Sequence, residues 1–288
     1  MILNSIDSLE GMSAAEKKAA LKHAKKVLNV RGRILEWLHE QGTEPGHTLE
    51  EYREKLDSRD NNEMECPTCD GTGVVKPPKP RKVGCIHPSS SAECVLRLYH
   101  DVVGDLRPRP SFQPGLMITF AIGHSIHDYL QKALLDKIGA HRFDPEAGIK
   151  MGIVSGNTDG IMEIDGVRAI LEIKTDGPSS FTSRRSPDKK HRLQAGGLYA
   201  TALDAPVIVY LYVEKVFPHT IKEYVELYSP DLFSKWLREK HNPVLKGLET
   251  GQEPIADATR SECSSCPYNY EGGCAQVLGH TSIKTFRR

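Results

Sequence analysis

Apolar residues recur with two different periods along the chain, and the change of period marks its elements. Helical spacing predicts helices over about 13–30, 31–40, 48–56, 91–102, 114–135, 189–203 and 231–248. Alternating or continuous β-branched runs predict strands over about 149–155, 160–164, 167–174, 206–213 and 219–227. From the helix that ends near residue 135, the order is helix, three strands, helix, two strands, helix. This order predicts an α/β fold in which helices flank a mixed central sheet.

Local signals refine the boundaries. Ser13 and Glu16 have the spacing of a capping box, and Ser91 is a candidate cap for the helix that follows it. Asp165-Gly166 is a two-residue hairpin signal between two strands. Prolines and glycines interrupt the pattern after residue 60. We therefore expect a helical extension, a small insert, a core and a cysteine-rich end, at 1–60, 61–90, 91–250 and 251–288.

Composition narrows the class of protein. Of 288 residues, 39% are hydrophobic and 26% are charged, which is ordinary for a globular protein. The sequence contains no apolar run long enough to span a bilayer and no secretory signal, so we expect a cytoplasmic protein without a membrane partner. The 38 basic and 38 acidic residues argue against non-specific coating of nucleic acid, although a local basic groove remains compatible with them.

Two neighbouring predicted strands bring together two carboxylates and one lysine. Glu172 and Lys174 point to the same face of their strand because side chains alternate with a period of two. Asp159 reaches the same volume from the neighbouring strand. Carboxylates bind Mg²⁺ or Mn²⁺, and an adjacent ammonium suits phosphodiester hydrolysis. The alternative is a surface salt bridge between Glu172 and Lys174.

Further candidates flank these strands. Gly123 and His127 lie four residues apart on one helix face, and the imidazole is either a metal ligand or a partly buried helical histidine. Gln194 and Tyr199 lie on a later helix. The segment before and at the start of that helix is either a DNA-binding run or a solvated loop, and its basic residues are Arg184, Arg185, Lys189, Lys190 and Arg192.

Taken in order, these motifs resemble the RecB-like branch of the PD-(D/E)xK nucleases, whose members have a restriction-endonuclease-like core. The resemblance covers about residues 127–199 and implies that His127, Asp159, Glu172 and the backbone carbonyl of Ile173 bind the catalytic metal. It makes Asp159, Glu172 and Lys174 catalytic, and places the helix of Gln194 and Tyr199 against DNA. The family spacing is Gln-x-x-x-Tyr, whereas this chain has one residue more, so Tyr199 departs from the family pattern.

Four of the seven cysteines extend the resemblance. One cysteine before the motifs and three after them are similar to the arrangement in the iron–sulfur exonucleases of this group, such as the CRISPR-associated exonucleases and the AddB nuclease domain. The resemblance implies a [4Fe–4S] cluster on Cys94, Cys263, Cys266 and Cys274. Spacing does not distinguish this cluster from a zinc ion in the same four thiols.

The other three cysteines suggest a second site. Cys66, Cys69, Cys85 and His87 form a Cys₃His set whose spacing suits tetrahedral Zn²⁺. A proline- and glycine-rich loop with free thiols is the alternative. Grouped cysteines in a reducing compartment are more often metal ligands than disulfides.

The sequence as a whole indicates a divalent-metal-dependent deoxyribonuclease. We expect an exonuclease that acts on single-stranded DNA or duplex ends in recombination, repair or phage replication. Recombination or replication proteins are its expected protein partners. One alternative is a nuclease-fold protein that binds DNA or a recombination partner without cutting. Another is a zinc-ribbon adaptor, which residues 66–87 alone suggest and which leaves the later motifs unexplained.

Overall fold

The computed structural model describes residues 2–43, 84–104, 114–216, 220–259, 262–263, 266–269 and 274. Contacts divide the chain into two units, one made of Met1–Leu35 and Val83–Arg288 and the other of Glu36–Lys82. The first unit contains both β-sheets of the described chain. Of the second unit, only residues 36–43 are described, and they are helical.

Strands occupy the centre of the first unit. They are β1 (Phe143–Asp144), β2 (Gly148–Met151), β3 (Val154–Asn157), β4 (Gly160–Ile164), β5 (Val167–Asp176), β6 (Val207–Glu214) and β7 (Ile221–Leu227). Five of them form a sheet in the order β1-β4-β5-β6-β7, while β2 and β3 form a separate hairpin. The β5–β6 pair is parallel and the other pairs are antiparallel. The sheet is therefore mixed, and its parallel pair requires a crossover.

Helices precede, flank and complete the sheet. They are α1 (Ala14–Leu28), α2 (Val30–Thr43), α3 (Val95–Val103), α4 (Pro114–Ile138) and α5 (Pro178–Ser183), followed by two composite helices. Helix α6 joins Lys189–His191, a π-helical Arg192–Tyr199 and Ala200–Ala202. Helix α7 joins Pro230–Trp236, a π-helical Leu237–His241 and Asn242–Thr250. Helices α5 and α6 make the crossover between β5 and β6. The predicted mixed α/β architecture with flanking helices is confirmed.

The apolar sequence of β6 is explained by its position inside the sheet, between β5 and β7. Every residue of β6 from Val207 to Val213 is buried, as expected for a strand covered on both faces. At the other edge, a Cβ on Gly160 would lie 2.4 Å from Phe143 Cε2, so a glycine is needed for β1 to approach the start of β4. Gly160, the first residue of β4, directly follows Asp159 in the chain.

Several local predictions can be compared with the structure. The capping box of Ser13 and Glu16 is confirmed, and Asp165 and Gly166 both have positive φ, as a type I′ hairpin requires. Ser91 as a helix cap is wrong, because α3 begins at Val95 with Cys94 as its N-cap, and the Val95 N–H donates to Asp257 Oδ1 at 2.7 Å. The single strand predicted over 149–155 is wrong, because a turn at residues 152–153, where Gly152 has a positive φ, divides it into the antiparallel pair β2 and β3. The predicted helix over 48–56 lies outside the described residues.

The N-terminal segment takes part in the sheet, which periodicity did not predict. Leu3 forms a parallel bridge with Val167, accepting from Arg168 N–H and donating to the Gly166 carbonyl, each at 2.7 Å. The residues just after Leu3 form a 3₁₀ turn, Ile6–Leu9. Among the described residues, no helix has the length and apolarity needed to cross a membrane.

Candidate active site

One helix and two strands bring four predicted residues together. His127 projects from α4, Asp159 lies just before β4, and Glu172 and Lys174 lie on β5. His127 Nδ1 is 3.4 Å from Asp159 Oδ1. Helix α4 approaches β5 at Gly123, where a Cβ would lie 3.5 Å from Thr175 Oγ1. His124, the other histidine in this turn, is exposed, whereas His127 is half-buried.

Asp159 is held as an anion. Its Oδ2 accepts the Ile173 N–H at 2.6 Å. Burial alone would raise the pKa of Asp159, but hydrogen bonding to His127 and the charge of Lys174 outweigh burial, so the pKa lies below its ordinary value. A bend before β4 therefore presents a carboxylate that is ionised at neutral pH.

Glu172 is the most enclosed acid of the group. Its side chain is 1% exposed, and Oε1 forms an ion pair with Lys174 Nζ at 2.5 Å. Burial raises the pKa of Glu172 to about 7, with Lys174 opposing the rise and Asp159 adding to it. Oε2 has no hydrogen-bond partner in the described structure. A buried carboxylate oxygen without a donor is suited to binding a cation.

Lys174 lies between the two acids. Its ammonium is 3.7 Å from Asp159 Oδ2 and donates to the Ile173 carbonyl at 3.1 Å. Burial would lower the pKa of Lys174, but Glu172 and Asp159 together raise it above its ordinary value. The lysine is therefore a fixed positive charge at any physiological pH.

The donor set suits a hard divalent cation in its chemistry. Two carboxylates, an imidazole and a backbone carbonyl are ligands that Mg²⁺ or Mn²⁺ accepts. Among the described side chains, however, no group of three or more His, Cys, Asp or Glu residues is already arranged to hold a metal ion. Lys174 occupies the space between the carboxylates, so metal binding would require the ammonium to move aside.

A π-helical segment accommodates the unusual spacing of Gln194 and Tyr199. In an α-helix, residues five apart are separated by about 140° around the axis. Within Arg192–Tyr199, bonding follows the i→i+5 pattern, as in the Ala200 N–H donating to the Ala195 carbonyl. Gln194 Nε2 thereby reaches Tyr199 Oη at 3.1 Å, and both side chains are buried. Burial, followed by the charge of Glu172, raises the pKa of Tyr199, so the hydroxyl remains neutral.

The five predicted DNA-binding cations fall into two groups. Arg184 makes two contacts with Asp176 and a third with Asp188, and Arg192 forms a bidentate pair with Glu226. Both arginines therefore already bind carboxylates of the same chain. The exposed cations of the run are Arg185, Lys189 and Lys190.

Tyr212 and Lys222 hold the basic segment of residues 184–192 in place, and the distribution of charges in the sequence did not predict these contacts. Tyr212 is paired with Lys174 across the β5–β6 ladder, and its hydroxyl lies 2.7 Å from His191 Nδ1. The Asp188 N–H donates to the same hydroxyl at 3.2 Å, and the Arg184 guanidinium lies 3.9 Å from the ring centroid. Lys222 Nζ donates to three carbonyls of the segment, those of Phe181, Thr182 and Arg184. Sequence reasoning missed these partners because they lie on different strands.

The four cysteines assigned to a cluster line one cavity. Cys94, Cys263, Cys266 and Cys274 border it together with Arg97, His100 and Tyr268. Burial is the main cause that raises the pKa of the Cys263 and Cys266 thiols, and Cys94 contributes to both. Asp257, which caps α3 next to Cys94, also pairs with Lys240 of α7 at 2.5 Å. The C-terminal segment is thus tied to the start of α3, although the described thiols are not preassembled around a metal.

The second cysteine set is described at two of its four positions. Cys85 Sγ lies 3.8 Å from His87 Nε2, in the segment that bridges to β3 through Ile86 and Val154. Cys66 and Cys69 lie outside the described residues. Neither Cys85 nor His87 borders the cavity of the other four cysteines.

No protein-family model matches the chain, and no curated protein sequence matches it. Among solved structures, the protein SSO0001 is similar with a TM-score of 0.42 and 17% identity, over 75% of this chain and 90% of that one. An alkaline exonuclease from Laribacter hongkongensis is similar with a TM-score of 0.43 and 10% identity, over 59% of this chain and 90% of the exonuclease. Its complex with dAMP gives a TM-score of 0.41 and 12% identity, over the same shares.

We predict that Glu172 and His191 change the stability of the metal-free protein with pH in opposite directions. The folded-state pKa of Glu172, about 7, exceeds its ordinary 4.5, so its stabilising contribution is complete below about pH 4.5 and is lost as pH rises toward 7. Burial, followed by the charge of Lys174, lowers the pKa of His191 from 6.5 to about 4. Its contribution is present above pH 6.5 and is lost as pH falls toward 4.

Single substitutions should separate these two slopes. Relative to the wild type, the free energy of unfolding of Glu172→Gln should rise between about pH 4.5 and 6.5, by at most about 1.4 kcal/mol per pH unit. That of His191→Asn should fall over the same interval. Urea denaturation in the presence of a chelator measures both, and His141→Asn at an exposed position is the control. Slopes of the same sign in the two variants would contradict these assignments.

Proposed function

We propose that the protein is a divalent-metal-dependent DNA nuclease of the PD-(D/E)xK class, and specifically an exonuclease. The convergence of His127, Asp159, Glu172 and Lys174 supports this proposal most strongly, because these residues come from three separate elements yet share one small volume. A salt bridge at the surface would not require a glutamate that is 1% exposed. The nuclease core is proposed to span 91–250.

Each residue has a distinct role in this proposal. Asp159, Glu172 and His127 would hold Mg²⁺ or Mn²⁺, with the Ile173 carbonyl as a further ligand. A bound divalent cation lowers the pKa of water and neutralises charge that develops on the phosphate. Lys174, which remains protonated, would donate to the attacking water or to a phosphate oxygen.

Substrate binding is assigned to α6 and to the segment before it. The exposed cations Arg185, Lys189 and Lys190 are available for DNA phosphates. Gln194 and Tyr199, bonded to each other beside Glu172, would orient the strand close to the site of cleavage. The substrate is proposed to be single-stranded DNA or the end of a duplex.

A [4Fe–4S] cluster is proposed as a structural cofactor. Four thiols that border one cavity supply the usual ligand number for such a cluster. Binding would release the protons that burial now retains on Cys263 and Cys266. The cluster would hold the C-terminal segment against the start of α3. A zinc ion on Cys66, Cys69, Cys85 and His87 remains a separate proposal.

Removal of any one catalytic group should abolish cleavage. Asp159→Ala, Glu172→Ala and Lys174→Ala should each lower Mn²⁺-dependent hydrolysis of end-labelled DNA by a factor on the order of 10³ or more, because the members act as a unit. Glu163→Ala removes an exposed carboxylate from the same strand region and should cleave normally.

The same assay distinguishes the alternative function. A wild-type protein that binds DNA but releases no nucleotide with either Mg²⁺ or Mn²⁺ would indicate a nuclease-fold binding protein. Normal cleavage by a pure Glu172→Ala protein would contradict the catalytic assignment.

The two groups of cations predict different salt effects. Replacing Arg185, Lys189 and Lys190 with Gln should flatten the dependence of log Kd on log salt by about 0.9 for each duplex phosphate that is no longer neutralised, or about 0.7 on a single strand. Arg184→Gln should instead lower stability and leave the slope unchanged, because Asp176 and Asp188 would lose their partner. Fluorescence anisotropy at several salt concentrations measures the slope. An unchanged slope in the triple variant would show that DNA does not bind along Arg185, Lys189 and Lys190.

The cluster proposal predicts a coloured protein. Anaerobically purified protein should be brown and contain iron and sulfide, and Cys94→Ala, Cys263→Ala, Cys266→Ala and Cys274→Ala should each lose the colour. Cys85→Ala is the matched control and should keep the colour while releasing any zinc, because Cys85 does not border the cavity. A colourless preparation that holds zinc and no iron would contradict the iron–sulfur assignment.

A further inference from the structure

The face of α4 that carries His127 extends one turn further, to Gln131. Gly123, His127 and Gln131 are spaced four residues apart, so they lie along one side of the helix. Gly123 is next to β5, and His127 is next to the Asp159 carboxylate. Gln131 is 7% exposed and reaches the backbone of Asp159.

The amide of Gln131 uses both of its hydrogens. Nε2 donates to the Asp159 carbonyl at 2.8 Å and to Glu146 Oε1 at 3.2 Å. Both partners are acceptors, so the nitrogen rather than the oxygen must face them. A glutamate at position 131 would have only acceptor oxygens and could not donate to the Asp159 carbonyl or to Glu146. The glutamine amide donates to both.

Asp159 depends on contacts of this kind for its position. It lies one residue before β4, whose ladder begins at Gly160 opposite Leu171. The Ile173 N–H holds its carboxylate and Gln131 holds its carbonyl. The chain at Asp159 is therefore fixed at both its side chain and its backbone.

Glu146 supports the same arrangement from the turn between β1 and β2. It has a φ of 57°, a left-handed conformation that is uncommon for a residue other than glycine. Such conformations persist where the surroundings determine them, and they are common near functional sites. Glu146 Oε1 accepts from the same Gln131 amide that donates to the Asp159 carbonyl, so Glu146 is connected to the candidate site through Gln131.

We infer that Gln131 is a positioning residue, which holds the Asp159 backbone so that the Asp159 carboxylate faces His127 and Lys174, while Glu146 orients Gln131. This inference rests on the proposed function, because it assigns Gln131 an effect on metal affinity. Partners of metal ligands commonly change metal affinity by about 10- to 100-fold when they are removed.

Mn²⁺ affinity of the protein without DNA tests the inference. Gln131→Met removes both donors at nearly constant length and should bind Mn²⁺ about 10- to 100-fold more weakly by isothermal titration. Lys132→Met, at the exposed neighbouring position, should bind like the wild type. Glu146→Gln and Glu146→Leu both remove the charge, but only glutamine keeps an acceptor for Gln131. The leucine variant should therefore bind Mn²⁺ more weakly than the glutamine variant.

The outcomes separate the inference from the proposed function. Wild-type affinity in a folded Gln131→Met protein overturns the positioning role and leaves the nuclease proposal intact. If Gln131→Met does not fold, equal affinities in Glu146→Gln and Glu146→Leu overturn the role instead. A wild-type protein that neither binds Mn²⁺ nor cleaves DNA overturns the proposed function and this inference with it.

Discussion

The ion pair between the half-buried ammonium of Lys174 and the buried carboxylate of Glu172 is the interaction on which the candidate site depends. The charge of Lys174 is compensated by Glu172 and Asp159, and the buried Glu172 is tolerated in turn because Lys174 is next to it. Removing one member of such a group typically costs about 3–5 kcal/mol, since the remaining charge is left buried. The surrounding elements must therefore keep three charged side chains in register.

The mixed sheet provides that register. Glu172 and Lys174 lie on the same face of β5, next to Tyr210 and Tyr212 of the parallel strand β6. The antiparallel hairpin to β4 brings Asp159 to the same end of the sheet, and α4 brings His127 and Gln131 to Asp159. The crossover through α5 and α6 carries Gln194 and Tyr199, which are bonded to each other, and the charge of Glu172 acts on the Tyr199 hydroxyl. Because β5 and β6 are parallel, the chain between them must cross over the sheet, and this crossover contains α5 and α6.

The segment between β5 and α6 combines a rigid framework with an exposed charge. Arg184, Tyr212 and Lys222 hold its backbone through ion pairs, ring stacking and carbonyl contacts. The exposed Arg185, Lys189 and Lys190 project from this framework. A pre-ordered segment loses less conformational entropy when it binds a ligand than a mobile one would.

The sequence by itself determined most of the long helices and strands, the hairpin at Asp165-Gly166 and the choice of candidate residues on β5, because these depend on periodicity and short spacings. It did not determine the short strand β1, the division of 149–155 into β2 and β3, or the pairing of Leu3 with Val167. Only the tertiary structure decided that Arg184 and Arg192 are neutralised by carboxylates, since their partners Asp176 and Glu226 lie on β5 and β7. It also decided that a π-helix restores the contact between Gln194 and Tyr199, and that Gln131 and Glu146 support Asp159. Such contacts join residues far apart in the chain, and no local pattern of polarity encodes them.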